Sequence, residues 1–488
     1  MAKYFPTIGL EIHAELRTKT KMFCDCPNSP EDKKPNINVC PVCLGHPGTL
    51  PVINKKAIES MIKIGLAIGG EINETFKFDR KNYFYPDLPK AYQISQFDMP
   101  IVIGGELDIS SRLGSKKIVK INRVHLEEDA AKLMHGADNG KDVTLVDFNR
   151  GGVPLMELVS EPDIHSAEEA VAYGQELQLI LRYLGVSDAD LEKGQMRFDA
   201  NISLSSDEKL GTRAEIKNLN SFGALESAVN YEIKRQTEIL EEGGRVDQET
   251  RGWDDIKQKT VPQRSKEQAH DYRYFPEPDL PPLTKAGFDV EALRSEIPEL
   301  PNGKRARFTQ EYGLNPEQMN ILIEDKDMSE YFEQALSELE GDEQISANQE
   351  KIKLTLNYLT SDLRGLLMAK NADFDDCKIT PENFADLMDM VVKKEINSRV
   401  AKDLLVKMLD SGADPREIVK NEELSQVSDG EELEPIVSSV IAANPKAVED
   451  YKKGKSAALQ FLFGKSMAAL KGRGNPEALK SLLEKLLG

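Results

Sequence analysis

Four of the five cysteines sit within twenty residues, as Cys24-Asp25-Cys26 and Cys40-Pro41-Val42-Cys43. A C-x-C pair followed by a C-x-x-C pair outlines a tetrahedral thiolate site. Zinc takes four soft ligands at one point, and two tight turns can each present two of them. Four thiolates leave no open coordination position, so zinc here is expected to shape a loop and not to catalyse. The alternatives are a disulfide pair, redox-active thiols or vestigial cysteines. The opening Met1-Ala2-Lys3-Tyr4-Phe5-Pro6 lacks the apolar core of a secretory signal, so a reducing, cytoplasmic setting is expected, in which stable disulfides are rare. Cys377 stands apart and reads as a packing residue.

The second chemical resource is carboxylate. Glu11-Ile12-His13-Ala14-Glu15 puts Glu11, His13 and Glu15 on one face of a strand, because strand side chains alternate. His125-Leu126-Glu127-Glu128-Asp129 offers another set, and Glu157, Asp199 and Glu215 each lie in an apolar, strand-like context. Hard divalent cations take carboxylate oxygens, with an occasional histidine. Carboxylates converging from neighbouring strands would bind magnesium and, through it, nucleotide phosphates. A lone strand glutamate is more often a surface or ion-pair residue; recurrence at strand positions is what favours a basin.

Phosphate-cradling motifs are missing. No G-x-x-x-x-G-K-[ST] occurs, since Gly464-Lys465-Ser466 lacks the upstream glycine, and no G-x-G-x-x-G follows a strand. ATP would have to be held by metal, lysine and arginine. Asp79-Arg80-Lys81-Asn82-Tyr83-Phe84-Tyr85-Pro86-Asp87 and Lys90-Ala91-Tyr92 interleave cations with aromatics, a mixture suited to a nucleotide or a tRNA acceptor end. The same mixture also suits a packed cation–aromatic loop. No G-x-S-x-G nucleophile is present, so amide hydrolysis by this chain alone is not expected.

Elements must position these groups. Residues 1–293 are rich in short β-patterned runs such as Pro6–His13, Lys117–Ile121 and Met196–Leu204, interrupted by helical patterns over Ala167–Leu184 and Ala224–Leu240. They lack a regular βαβ rhythm, which favours an α+β domain with mainly antiparallel sheets. The run Phe275-Pro276-Glu277-Pro278-Asp279-Leu280-Pro281-Pro282 reads as the exit from that domain. Helical patterns then cover 294–410, as over Ser329–Leu339 and Pro381–Lys394. Gly412-Ala413-Asp414-Pro415 breaks the pattern before a tail, 411–488. The length of 488 residues fits about three such domains. No apolar stretch nears the roughly 18 residues of a membrane span. The net charge of -20 opposes indiscriminate nucleic-acid binding. Residues 445–488 nonetheless carry nine Lys or Arg against four Asp or Glu. That local reversal of sign marks Lys452, Lys453, Lys455, Lys465, Lys471 and Arg473 as a candidate nucleic-acid contact, or a solvated helical face. Arg473, in Gly472-Arg473-Gly474-Asn475-Pro476, is expected on an exposed turn.

Long segments resemble one family. Gly9–Leu16, Phe78–Asp87, Lys90–Gln96, His125–Asp129, Val153–Asp163, Glu215–Phe222 and Asp271–Asp279 together are similar to the B subunit of aspartyl/glutamyl-tRNA(Asn/Gln) amidotransferase, over the whole chain. The resemblance implies a ligase that forms a carbon–nitrogen bond. ATP phosphorylates the side-chain carboxyl of Glu-tRNA(Gln), of Asp-tRNA(Asn) or of both. Ammonia released from glutamine by an A subunit then gives the amide, and a small C subunit bridges the two. It also implies a cradle resembling glutamine synthetase, followed by a helical domain and a tRNA-contacting tail. By resemblance Glu11, His13 and Glu128 match the family's magnesium positions, with Asp199 and Glu215 added by extension. Lys81 and Arg80 are expected on ATP phosphates or the acyl carboxylate, with Tyr83, Tyr85, Lys90 and Tyr92 nearby. Cys24, Cys26, Cys40 and Cys43 match members that hold zinc. Two other readings compete: a noncatalytic zinc-bearing tRNA-binding protein, and an amide ligase acting on a small molecule.

Overall fold

The computed structural model describes residues 4–138, 140–207, 209–265, 272–339, 349–424, 426, 430–470 and 472–488. The chain is mixed α/β and divides into two compact units, Met1–Gly303 and Lys304–Gly488.

The first strand, Phe5–Glu15, organises the first unit. Ile8, Leu10, Ile12 and Ala14 are buried on one face, each large side chain stabilising the fold by roughly 1.5–3 kcal/mol through burial. Glu11, His13 and Glu15 occupy the other face by simple alternation. This strand lies at the centre of a ten-stranded sheet. On one side it pairs with Pro154–Ser160, which pairs with Ile118–Glu128. On the other it pairs with Met196–Ser205, followed by Ala214–Leu219, Glu249–Asp254 and Lys259–Ser265. These pairings are antiparallel except for Ala214–Leu219 beside Glu249–Asp254. Helices Lys55–Ala67, Ala167–Tyr183 and Phe222–Glu241 contribute to the apolar core behind the sheet. Ser166 and Ser221 each cap their helix by accepting a backbone N–H, as an N-cap serine does.

The expected strand over Met196–Leu204 and helices over Ala167–Leu184 and Ala224–Leu240 are present with boundaries shifted by a residue or two. The proline-rich run behaves differently. Phe275–Pro276 pairs with Asp79–Asn82, and Leu283–Thr284 pairs with Thr75–Phe76. The run therefore folds back along the first unit instead of leaving it. Short edge strands tolerate proline because few ladder bonds are asked of them.

The second unit is helical among its described residues, from Pro316–Ile323 to Pro476–Leu487. Its last helices enclose a core of Leu433, Val437, Leu462, Leu470, Leu479, Leu483 and Leu487. Within this unit the Asn397 side-chain amide donates to the Gly472 carbonyl at 2.6 Å. No helix among the described residues is long and apolar enough to cross a membrane.

Candidate active site

Strand register assembles the acidic basin. His13 lies opposite Glu157 on one neighbour and Arg197 on the other, and Glu157 lies opposite His125. The result is one cross-strand row, His125–Glu157–His13–Arg197. The next row runs Arg123–Val159–Glu11–Asp199. Directly opposed side chains on one sheet face stand about 5 Å apart, so four strands bring their ionisable groups to one place. These groups line a cavity of about 490 Å³ with Lys81, Tyr83, Glu127, Asp129, Glu215, Lys217, Tyr272 and Tyr274.

The ligand-type atoms are close. His13 Nε2 is 3.4 Å from Glu157 Oε2, 3.7 Å from Glu11 Oε1 and 3.9 Å from Glu127 Oε1. His125 Nε2 is 3.1 Å from the same Glu157 oxygen. Glu11, His13 and Glu157 form one set able to hold a metal ion, and His125, Glu127 and Glu157 a second that shares Glu157. Burial, then the nearby charge of Glu157, pushes Glu11 up to about 7. Burial works against a charge on His13, but its hydrogen bond to Glu157 and the surrounding carboxylates outweigh it and raise it. Burial would also lift Glu157, yet the two histidines hold it well below the usual carboxylate range. Crowding of carboxylates thus favours the proton-bound forms of both Glu11 and His13. The Nδ1 atoms of His13 and His125 are buried without a hydrogen-bond partner among the described residues. Such a donor set fits a hard divalent cation.

Cations ring the basin. Lys81 Nζ is 3.9 Å from Glu127 and is raised above its ordinary value; burial opposes this and the charges of Glu127 and Glu157 overcome it. Lys217 bridges Asp199 at 2.5 Å and Glu215 at 3.1 Å. Arg197 donates to both oxygens of Asp129. Glu15, on the same strand face and also buried, is pushed up to about 8 by burial and by Asp129.

Glu128 is placed elsewhere. Alternation sends His125 and Glu127 to the basin, and Glu128 belongs to neither metal-ready group. Its carboxylate pairs with Lys90 and accepts the Ile94 N–H at 2.9 Å. Together with Lys90, Arg80 and Tyr92 it lines a second cavity, of about 260 Å³, walled by the cysteine loop. Glu128 thus stands one residue beyond Glu127, and a one-residue step on a strand is a change of face. Arg80 is also committed here: it makes a two-pronged bond to Glu277 at 2.7 and 2.8 Å and stacks on Tyr92 at 4.4 Å. Tyr83 faces the basin and donates to Gln93 at 3.2 Å. Tyr85 is exposed and lines neither cavity.

The thiols of Cys24, Cys26, Cys40 and Cys43 converge and can hold a metal. The Cys40 N–H donates to Cys43 Sγ at 3.1 Å. A hydrogen bond from Cys24, aided by the charge of Lys21, lowers Cys43 to about 5, and the same bond raises Cys24. The loop is pinned from both sides. Asn54 donates to the Thr20 and Lys21 carbonyls while capping the helix Lys55–Ala67. Asn149 accepts the N–H groups of Ile37 and Asn38.

In the tail, Lys452, Lys453, Lys455 and Lys465 are exposed, with Lys453 near Glu449 and Lys455 near Asp450. Arg473 departs from expectation. It is half-buried, and its guanidinium donates to the Glu423 carbonyl at 2.5 Å. The neighbouring Gly472 carbonyl accepts from the Asn397 side chain. Lys471 lies outside the described residues.

Fold and site together define a mixed α/β protein whose sheet gathers carboxylates and histidines able to hold a metal ion, with cations around them. Comparison with known proteins sharpens the class. Residues 6–287 match the family described as GatB/GatE catalytic domain, and residues 342–487 match the GatB domain. Among curated proteins, the chain is 47% identical over 486 residues to the B subunit of the aspartyl/glutamyl-tRNA(Asn/Gln) amidotransferase of Carboxydothermus hydrogenoformans, covering 99% of this chain and 98% of that one. It is 45% identical to the protein of the same description from Brevibacillus brevis, covering 100% and 99%. With the counterpart from Caldanaerobacter subterraneus it shares 46% identity, covering 99% of each. The chain belongs to the family of amidotransferase B subunits.

Proposed function

We propose that this chain is the carboxyl-activating subunit of a glutamine-dependent tRNA amidotransferase, an ATP-dependent ligase acting on Glu-tRNA(Gln), Asp-tRNA(Asn) or both. The observation that carries the reading is the convergence of Glu11, His13, His125, Glu127 and Glu157 on one basin ringed by Lys81, Arg197 and Lys217.

The chemistry explains the need for such a basin. A free carboxylate is a poor acyl donor because its leaving group would be oxide. Attack of the side-chain carboxylate on the terminal phosphoryl group of ATP forms a new O–P bond and releases ADP. Ammonia then adds to the acyl carbon, and phosphate leaves. Glu11, His13 and Glu157 would hold magnesium, with Glu127 and His125 beside them. When bound there, magnesium supplies the positive charge that lets a carboxylate and a triphosphate meet. Lys81 is aimed at the same space and is assigned to phosphate or acyl carboxylate. Lys217 holds Asp199 and Glu215 at the rim, which supports them as outer partners of the basin. Arg80, Lys90, Tyr92 and Glu128 belong to the adjoining cavity. No covalent protein nucleophile is required.

The cysteine quartet is assigned to structural zinc, and the sheet to a cradle of the glutamine synthetase kind. We divide the rest into a helical domain, 294–410, and a tRNA-binding tail, 411–488, whose contacts are Lys452, Lys453 and Lys455. An A subunit would supply ammonia, a C subunit would complete a heterotrimer, and the cytoplasm is the expected compartment. A noncatalytic zinc-bearing tRNA-binding protein would have no use for the basin.

The test is ATP turnover by the purified complex, with and without mischarged tRNA. Turnover that depends on mischarged tRNA is expected, and is lost in Glu157→Gln while tRNA binding is retained. Undiminished amide formation by Glu157→Gln at limiting magnesium would refute the reading.

A further inference from the structure

On one side of the basin the polar lining gives way to a run of rings. Lys81 Nζ lies 5.2 Å from the centroid of Tyr272. Tyr272 packs edge-on to Tyr83 at 5.6 Å and to Tyr274 at 6.1 Å. Tyr274 in turn lies face to face with Phe97, at 4.2 Å and 8°. All of these side chains line the same cavity as the carboxylates.

Phe97 is the anomaly. It remains 57% exposed, although burying a phenylalanine is worth roughly 1.5–3 kcal/mol. Its backbone is held in place, because its N–H donates to Asp79 Oδ2 at 3.1 Å and Asp79 is fixed by Lys77 at 2.9 Å. One face of the ring is covered by Tyr274, so the exposure belongs to the rest of the ring. A near-parallel aromatic pair presents a flat, preordered surface, and a planar heterocycle stacks on it whatever its edge pattern. The cations that suit phosphates, Lys81, Arg123 and Arg197, line the same cavity. A flat apolar shelf beside a phosphate-binding basin matches the two halves of a nucleotide.

The geometry points to the Phe97–Tyr274 pair as the seat of an adenine base. This rests on the nucleotide reading above and adds the base-recognition residues to it. Adenosine reaches such a basin from two sources, ATP and the 3′-terminal adenosine of the aminoacylated tRNA, and both present the same ring to the shelf. Phe97 touches substrate here only by stacking; the reacting atoms lie with the carboxylates.

The test uses the assembled complex carrying Phe97→Leu, which keeps an apolar side chain but removes the ring, and Phe97→Tyr, which keeps the ring. Three quantities are compared with wild type: magnesium-dependent binding of ATP, binding of inorganic tripolyphosphate, which has phosphates but no base, and the KM for mischarged tRNA. Loss of one stacked base corresponds to roughly 5- to 150-fold weaker binding. A fall of that size for ATP in Phe97→Leu, with tripolyphosphate unchanged and Phe97→Tyr near wild type, supports the seat and gives it to ATP. Unchanged ATP binding with a raised KM for tRNA, again restored by Phe97→Tyr, supports the seat and gives it to the terminal adenosine. Equal losses for ATP and tripolyphosphate would show general damage and overturn the assignment. So would no change in any of the three. Failure of the wild-type complex to bind ATP at all would take down the nucleotide reading and the seat together.

Discussion

Glu127 and Glu128 are chemically identical neighbours with opposite fates. Glu127 reaches His13 and Lys81, whereas Glu128 is bound to Lys90 on the other side. Glu127→Gln should weaken magnesium binding by about 10- to 100-fold, the usual cost of disturbing a group beside a metal. Glu128→Gln should leave magnesium affinity near wild type. Titration calorimetry on the two variants checks this, and a larger loss for Glu128→Gln would reverse the assignment. Proton competition offers a second check. Glu11 is held up to about 7 without metal, so below that pH a cation must displace its proton. Magnesium affinity should climb as pH rises through about 7 and level off above it, and Glu11→Gln should flatten the climb. A wild-type affinity that falls over that interval would contradict this sign.

At the scale of elements, the cysteine loop meets the segment leading into the Tyr92–Ser95 strand where Gly45 approaches Lys90. Gly45 has φ of +67°, and a Cβ there would stand 2.5 Å from Lys90 Cγ and 3.1 Å from Lys90 Cα. Only glycine permits both the left-handed turn and the approach. Gly45→Ala should therefore push the loop off Lys90 and cost about 1–3 kcal/mol, as overpacking commonly does. A lowered Tm together with easier metal loss to a chelator is the expected result; an unchanged Tm would mean that the loop moves freely. For the thiols, elemental analysis should find about one zinc per chain, lost in Cys24→Ser with Cys43→Ser. Magnesium binding should survive that double change, because no thiol belongs to the basin. The alternation of residues 8–15 made the basin face of the first strand legible beforehand. The C-x-C and C-x-x-C spacing did the same for the thiol cluster.

At the scale of the whole molecule, the positive tail sits in an acidic chain. Exposed Lys452, Lys453 and Lys455 are its best candidates for binding phosphate. Each phosphate they neutralise releases counterions and steepens the dependence of binding on salt. Replacing all three with Glu should weaken binding of mischarged tRNA and flatten its log–log salt slope by up to about 0.9 for each phosphate left unneutralised. Identical affinities and slopes would reduce the lysines to a solvated surface. Point changes are cleaner than deleting 411–488, because that cut also removes the Gly472 carbonyl that binds Asn397, the cap of helix Ser398–Ser411. Arg473 should contribute little to tRNA affinity, since its guanidinium is already engaged by the Glu423 carbonyl.

Local order was written in the sequence. Side-chain alternation, serine and asparagine caps, paired cysteines and the long motifs are short-range properties, so they identify strands, helices, a metal-ready loop and a family. What the sequence could not decide was register between distant segments. His13, His125, Glu157 and Arg197 come from strands separated by dozens of residues, and they form one row only because four strands align at one offset. A slip of a single residue would turn Glu127 away from the basin and Glu128 into it. Burial of polar groups was equally out of reach. Arg80 and Arg473 look alike as exposed cations in the sequence, and each is claimed by a partner far along the chain, Glu277 and Glu423. The exposed face of Phe97 is the converse case, an apolar residue left open where the tertiary fold sets it beside the charges. Non-local pairing is settled by packing of the whole core, and that is why only the tertiary structure chose which charges meet.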